Sequence, residues 1–225
     1  MHLHTGDFEI VEGGTYEAIG VDGHARFAEG VRFRTTLVSG VMEAETITGN
    51  CLIIDNGTVH CSGDIHVRHI RGRGRLKAAG NIVCDDIDLT GDIHSEGDIR
   101  CSGSLSVNGM LFNTALITAT TVYLSGVLKG HTINGRELEV RPLRSTMFPR
   151  FAMTDYRIGS SAKHINAERI DVSSLTCKAI TADTILLRHG SMVESATCAV
   201  SIGIDRTSSV LLLNNDCQRI HLATA

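Results

Sequence analysis

The chain has 225 residues, a formal net charge of −4, 42% hydrophobic residues, 4% aromatics, no tryptophan and two prolines. There is ample material for a core but few large side chains, which suits a narrow interior of Ile, Val, Leu, Ala and Cys, and the acidic balance argues against a general nucleic-acid binder. The seven cysteines form no CxxC pair, and Cys51, Cys84, Cys101 and Cys177 take apolar-patterned positions, as small hydrophobes do in a reducing cytoplasm.

Residues 1–12 read as a tail or cap: Met1 to Ile10 lacks the apolar run of a signal peptide, and no stretch of the chain is long and apolar enough to cross a membrane. From residue 13 to residue 140 the chain is metered. Gly23, Gly40, Gly57, Gly74 and Gly91 are 17 residues apart, Gly109 follows after 18, and Gly126 after 17 more. Gly63, Gly80 and Gly97 keep the same step, and so do Ile65, Ile82, Ile99, Leu116 and Ile133, with Val31 two steps earlier. Repeats at a fixed period signal a stacked architecture. Within each unit apolar residues alternate, as in Ile87-Asp88-Leu89 and Ile99-Arg100-Cys101; alternation over a few residues bounded by Gly, Asn or Asp reads as short strands with one buried face.

The fold class that follows is all-β: a parallel β-helix, or β-solenoid, of about 17 residues per coil with three short strands per coil. Its corner glycines are Gly23, Gly40, Gly57, Gly74, Gly91, Gly109 and Gly126, placed where the chain turns and φ > 0 is needed. The glycine steps from Gly57 to Gly97 run 6, 11, 6, 11, 6, unlike the equal sides of a left-handed hexapeptide coil, so a right-handed coil is expected. In GDIHSEGDIRCSGSLSVNG, residues 91–109, the glycines fall every six residues because one side gains a residue. Arg71-Gly72-Arg73-Gly74-Arg75 reads as solvated turn charge.

Residues 141–157 hold both prolines and no period, and read as a seam or linker. Periodicity resumes over 158–225 as a second β-helical stretch, with Ile170, Leu187 and Ile204 at 17-residue steps, Leu222 after 18, and Ile185, Ile202 and Ile220 keeping those last two steps. Ile165 to Val172 matches Ile82 to Leu89 in type and recurs as Ile180 to Leu187.

The segments Gly80-Asn81-Ile82-Val83-Cys84-Asp85-Asp86-Ile87-Asp88-Leu89-Thr90-Gly91-Asp92-Ile93 and Gly40-Val41-Met42-Glu43-Ala44-Glu45-Thr46-Ile47 resemble the bactofilins, a polymer-forming bacterial cytoskeletal family. The resemblance covers residues 13–135 well and 158–225 loosely. It implies a non-enzymatic scaffold that assembles end to end into non-polar filaments without nucleotide or other cofactor. The implied partners are further copies of the chain or a paralogue, and cell-envelope or morphogenesis proteins. The implied location is the cytoplasm, at the inner face of the cell membrane.

The rival reading is a trimeric left-handed hexapeptide-repeat enzyme, an acyltransferase or metal-dependent hydratase. His60, His66 and His69 lie close in sequence, but His94 falls two coils after His60, roughly 10 Å of stacking, too far for one zinc held at about 2.0–2.1 Å. Alternation turns His66 and His94 outward. Asp64, Asp85, Asp86, Asp92 and Asp98 read as turn formers, since the calcium-binding nonapeptide is missing. No catalytic, cofactor or metal residue is therefore assigned. A solenoid exposes unpaired backbone and core at its ends unless they are capped. No amphipathic capping helix is legible at either terminus, and Val210, Leu211, Leu212, Leu213, Ile220 and Leu222 are the candidate polymer interface.

Overall fold

The structure is a computed structural model that describes residues 2–6, 8–142 and 159–222. All 21 strands among these residues are parallel members of one sheet, stacked in about 12 coils about 17 residues apart. The fold is a β-solenoid.

One core ladder runs its whole length. Leu3 pairs with Ile19, and the register continues through Thr36, Leu52, Ile70, Ile87, Leu105, Val122, Leu138, Ile170, Ile185 and Ile202 to Arg219. From Ile19 to Ile202 every member is buried. Because side chains alternate across a strand, the intervening residues face outward, and each buried aliphatic side chain contributes about 1.5–3 kcal/mol. No single coil could bury its own inner face, so the stacking is itself the source of stability.

The expected three separate strands per coil are joined through corners. Ile82–Cys84 forms one side, and Asp86–Ser95 runs over the other two, bending at Gly91. Gly57, Gly74, Gly91, Gly109 and Gly126 stand in register one above another. At Gly91 φ is 134°, and a Cβ there would fall on the carbonyl oxygen of Gly74. Both the turn and the close approach of coils exclude a side chain. In the later coils Ser160–Ser173, Leu175–Arg188 and Met192–Ile204 each wrap nearly a full turn as one strand.

Another corner is held by an Asx ladder. Asp64 Oδ1 accepts from Asn81 N at 2.7 Å, Asn81 Oδ1 from Asp98 N at 3.0 Å, and Asp98 Oδ1 from Leu116 N at 3.2 Å. These side chains satisfy backbone donors that the bend withdraws from the strand ladder.

Four expectations change. Ile99 pairs with Ile117, not Leu116: Cys84 and Cys101 are in register, but Ile87 meets Leu105, so the extra residue sits at the corner after Cys101 and shifts the column by one. That coil is not alone in gaining a residue, since Asn56 (φ 59°) is a bulge between Asp55 and Gly57. The tail or cap expected over residues 1–12 contains two strands of the sheet: His2–Thr5 and Glu9–Val11 pair with the following coil. Ile170 pairs with Ile185, while Leu187 stands over Val172; the step there is shorter because the bend after Ser173 is tight, with Ser174 at φ 56°.

The second stretch continues the first. Glu137–Arg141 and Thr132–Asn134 both pair with Ser160–Ser173, and Lys129 stands over Ser161. The stack is unbroken between the described residues up to Pro142 and those from Gly159 onward, which meet at the glycine corner. Of the seam expected over 141–157, residues 143–157 lie outside the described residues. Arg141 binds both strands at this point, donating through Nε to Glu139 (2.9 Å) and through Nη2 to Asp171 (2.7 Å), and Arg188 Nε reaches the same Asp171 at 3.2 Å.

Candidate functional site: the two open rungs

The last rung consists of Ser209–Leu213 and Gln218–His221, both paired only with Met192–Ile204 among the described residues. Among the described residues their outer edges carry unpaired backbone donors and acceptors, the condition that templates strand addition. Val210 stands over Val193 and Leu213 over Ala196. These two are core-facing, packed against the core yet only partly buried, with no further coil over them among the described residues. Leu211 and Leu212 face outward at 86% and 57% exposure. Leu222 lies at the flank, where a Cβ on Gly203 would meet both its side chain and that of Leu186.

Ile220 departs from expectation. Ile202 pairs with Arg219, Gly203 with Ile220, and Ile204 with His221. Neither Ile220 nor Leu222 continues the columns of Ile202 and Ile204, because the coil closes in 17 residues where the expected match needed 18. A one-residue slip exchanges the two faces of a strand. Ile220 therefore projects outward, 40% exposed, and a charged residue, Arg219, takes the terminal position of the core ladder.

The bend before this rung is fixed by Asp205. Burial opposes ionisation there. His189 N (2.6 Å), Thr207 N and Oγ1 (3.0 and 2.9 Å) and Ser208 N (2.8 Å) all donate to the carboxylate and hold it well below the usual range.

The first rung was not legible as part of the site. Leu3 and Val11 are core-facing, while Phe8 and Ile10 are 83% and 66% exposed. Glu9 pairs with Ala25, whose column continues through the buried Met42, Val59, Leu76 and Ile93. A carboxylate thus ends a core column here, as a guanidinium does at the other end. The alternation of Leu3 and Thr5, 16 residues before Ile19 and Val21, was the signal available, and it was masked by the absence of a corner glycine.

The flanks are assembled differently. His66 and His94 face solvent. Lys77 separates His60 from His94 in the register, and His94 stacks on Phe112 with ring centroids 4.3 Å apart. Among the described residues no group of three His, Cys, Asp or Glu side chains converges as a metal site. Asp85 accepts from Ser102 Oγ at 3.0 Å, and Asp86 accepts from Ser104 N at 2.8 Å, the bond that chiefly lowers its carboxyl below the ordinary value. Arg71, Arg73 and Arg75 are exposed, and Arg75 lies 3.6 Å from Asp92. Cys84, Cys101 and Cys177 are buried, as are Cys61 and Cys198, whereas Cys51 is only half-buried at a bend.

No helix among the described residues is long and apolar enough to cross a membrane. No protein-family model matches this chain, and no curated protein and no solved structure matches it either.

Proposed function

We propose that the chain is a non-enzymatic scaffold of the bactofilin kind, which adds copies of itself end to end into filaments without nucleotide and recruits cell-envelope or morphogenesis proteins at the inner face of the cell membrane. The observation that carries this reading is the pair of open rungs. Among the described residues the first and last rungs each offer unpaired strand edges around a partly covered apolar core, and a second copy would supply both the hydrogen bonds and the apolar layer. Along the flanks His66 and His94 face solvent, and Asp64, Asp85, Asp86 and Asp98 accept hydrogen bonds that hold the corners.

Electron microscopy of the purified protein with no nucleotide added tests this. Unbranched filaments are expected. A monomer at every concentration refutes the reading, and a discrete trimer turns attention to the hexapeptide-type enzyme. Leu212→Asp places a charge on the exposed rim of the last rung and is expected to dissolve filaments while the coil signature in circular dichroism stays unchanged.

A further inference from the structure

Among the strand pairings of the described residues, only Cys84 and Cys101 bring two cysteines into register. Cys61 stands between Ala44 and Ala78, Cys177 between Ala162 and Val193, and Cys51 between Thr35 and His69. Paired strands lie about 4.7–4.9 Å apart, inside the range of about 4.4–6.8 Å between Cα atoms that a disulfide spans. The Sγ atoms of Cys84 and Cys101 are 3.0 Å apart, so closing to a bond of about 2.05 Å moves each by about half an ångström. Both thiols also line a groove on the side built from Ile82–Cys84 and the strands stacked on it, together with Val83, Arg100 and Leu116. They are only 6% and 5% exposed there, which admits a small uncharged oxidant and keeps out a bulky one.

We propose that Cys84 and Cys101 are a peroxide-oxidisable pair whose disulfide staples two successive coils of the solenoid. The thiolate of one cysteine attacks a peroxide oxygen, the O–O bond breaks, and one water leaves with a sulfenic acid formed on sulfur. The sulfur of the partner then attacks the sulfenic sulfur, an S–S bond replaces the S–O bond, and a second water leaves. The two thiols give up two protons and two electrons, and hydrogen peroxide takes them up. Burial keeps the thiolate scarce, so the first step is slow and the dithiol is the resting state. The second step is fast, because the partner already stands 3.0 Å away, and oxidation stops at the disulfide before sulfinic acid forms. The staple bridges positions 17 residues apart and restricts the unfolded chain, so the unfolding equilibrium constant should fall about a hundredfold. It lies within one chain, away from the first and last rungs, and stands apart from assembly.

Peptide mapping after oxidation tests the pair. The folded chain is treated with hydrogen peroxide, the remaining thiols are blocked in denaturant, and tryptic peptides are read by mass spectrometry. Cleavage after Lys77, Arg100 and Lys129 places Cys84 and Cys101 on separate peptides. A cross-linked pair of these two peptides is expected, released by dithiothreitol, together with a higher midpoint of denaturant unfolding that reduction reverses. Comparing oxidised with reduced wild type requires no variant to fold. Cys84→Ser and Cys101→Ser should each abolish both the cross-link and the rise in midpoint. The proposal is overturned if Cys84 and Cys101 remain thiols at every peroxide dose that leaves the chain folded, or if they pass to sulfinic acid instead. It is overturned equally if the rise survives Cys84→Ser, or if the cross-link forms and the midpoint does not move.

Discussion

Cys84 and Cys101 stand one coil apart with their Sγ atoms 3.0 Å from each other, both buried. The hydrogen bond shared with Cys84 and the surrounding burial push the Cys101 thiol far above its ordinary value, and the thiol, unlike the thiolate, is a poor nucleophile. Native alkylation followed by mass spectrometry should therefore modify the half-buried Cys51 and Cys217 first, with Cys84 and Cys101 last. Early labelling of Cys101 would contradict the stacking.

Thr36 is the one polar member inside the ladder between Ile19 and Leu52, fully buried, and its Oγ1 has no hydrogen-bond partner among the described residues. Leaving a hydroxyl unpaired in such a place costs about 1–3 kcal/mol. Thr36→Val keeps the shape and removes the penalty, so it should raise stability by about 1–2 kcal/mol, read as a higher melting temperature. An unchanged or lower value would mean that the hydroxyl is satisfied.

The period and the core were written in the residues, because both depend on local alternation and on glycines at bends. The phrase Ile165 to Val172 does stand in the same columns as Ile82 to Leu89, through Ile133 and Leu138. What escaped was register where a bend gains or loses one residue. Ile117 displaced Leu116, and Arg219 displaced Ile220, since the geometry of a corner depends on bonds such as Ser104 N to Asp86 that reach 18 residues back. The pairing of Glu9 and Arg219 positions with core columns was illegible for the same reason. Both look like surface charges until the register is known.

Gly91→Ala tests the corner stack. Its Cβ would strike the Gly74 carbonyl at a φ that side chains rarely adopt, and strain of that kind costs about 1–3 kcal/mol before the clash is counted. Gly30→Ala, also at positive φ but with nothing within 4 Å, should cost less in the same denaturation experiment. Equal losses would show that the stack imposes no contact of its own.

Acid should loosen particular bends. The Asp86 and Asp205 carboxyls titrate below their ordinary value of 3.8 in the folded chain, so the unfolded chain takes up protons first as pH falls. Their stabilisation is fully present well above pH 4 and is lost progressively below about pH 5. Asp205→Ala should therefore flatten the drop in melting temperature between pH 6 and pH 3, at the expense of lower stability at pH 6. An unaltered pH profile would remove Asp205 from the account.

The most direct test of the assembly is the axial repeat of its filaments. With about 12 coils per chain and a coil rise of roughly 4.8 Å, copies that continue one ladder should give a meridional reflection near 4.8 Å and a subunit repeat of about 58 Å in electron diffraction or averaged micrographs. A filament lacking the 4.8 Å reflection along its axis, or a chain that stays a discrete monomer or trimer, would contradict end-to-end continuation of the solenoid.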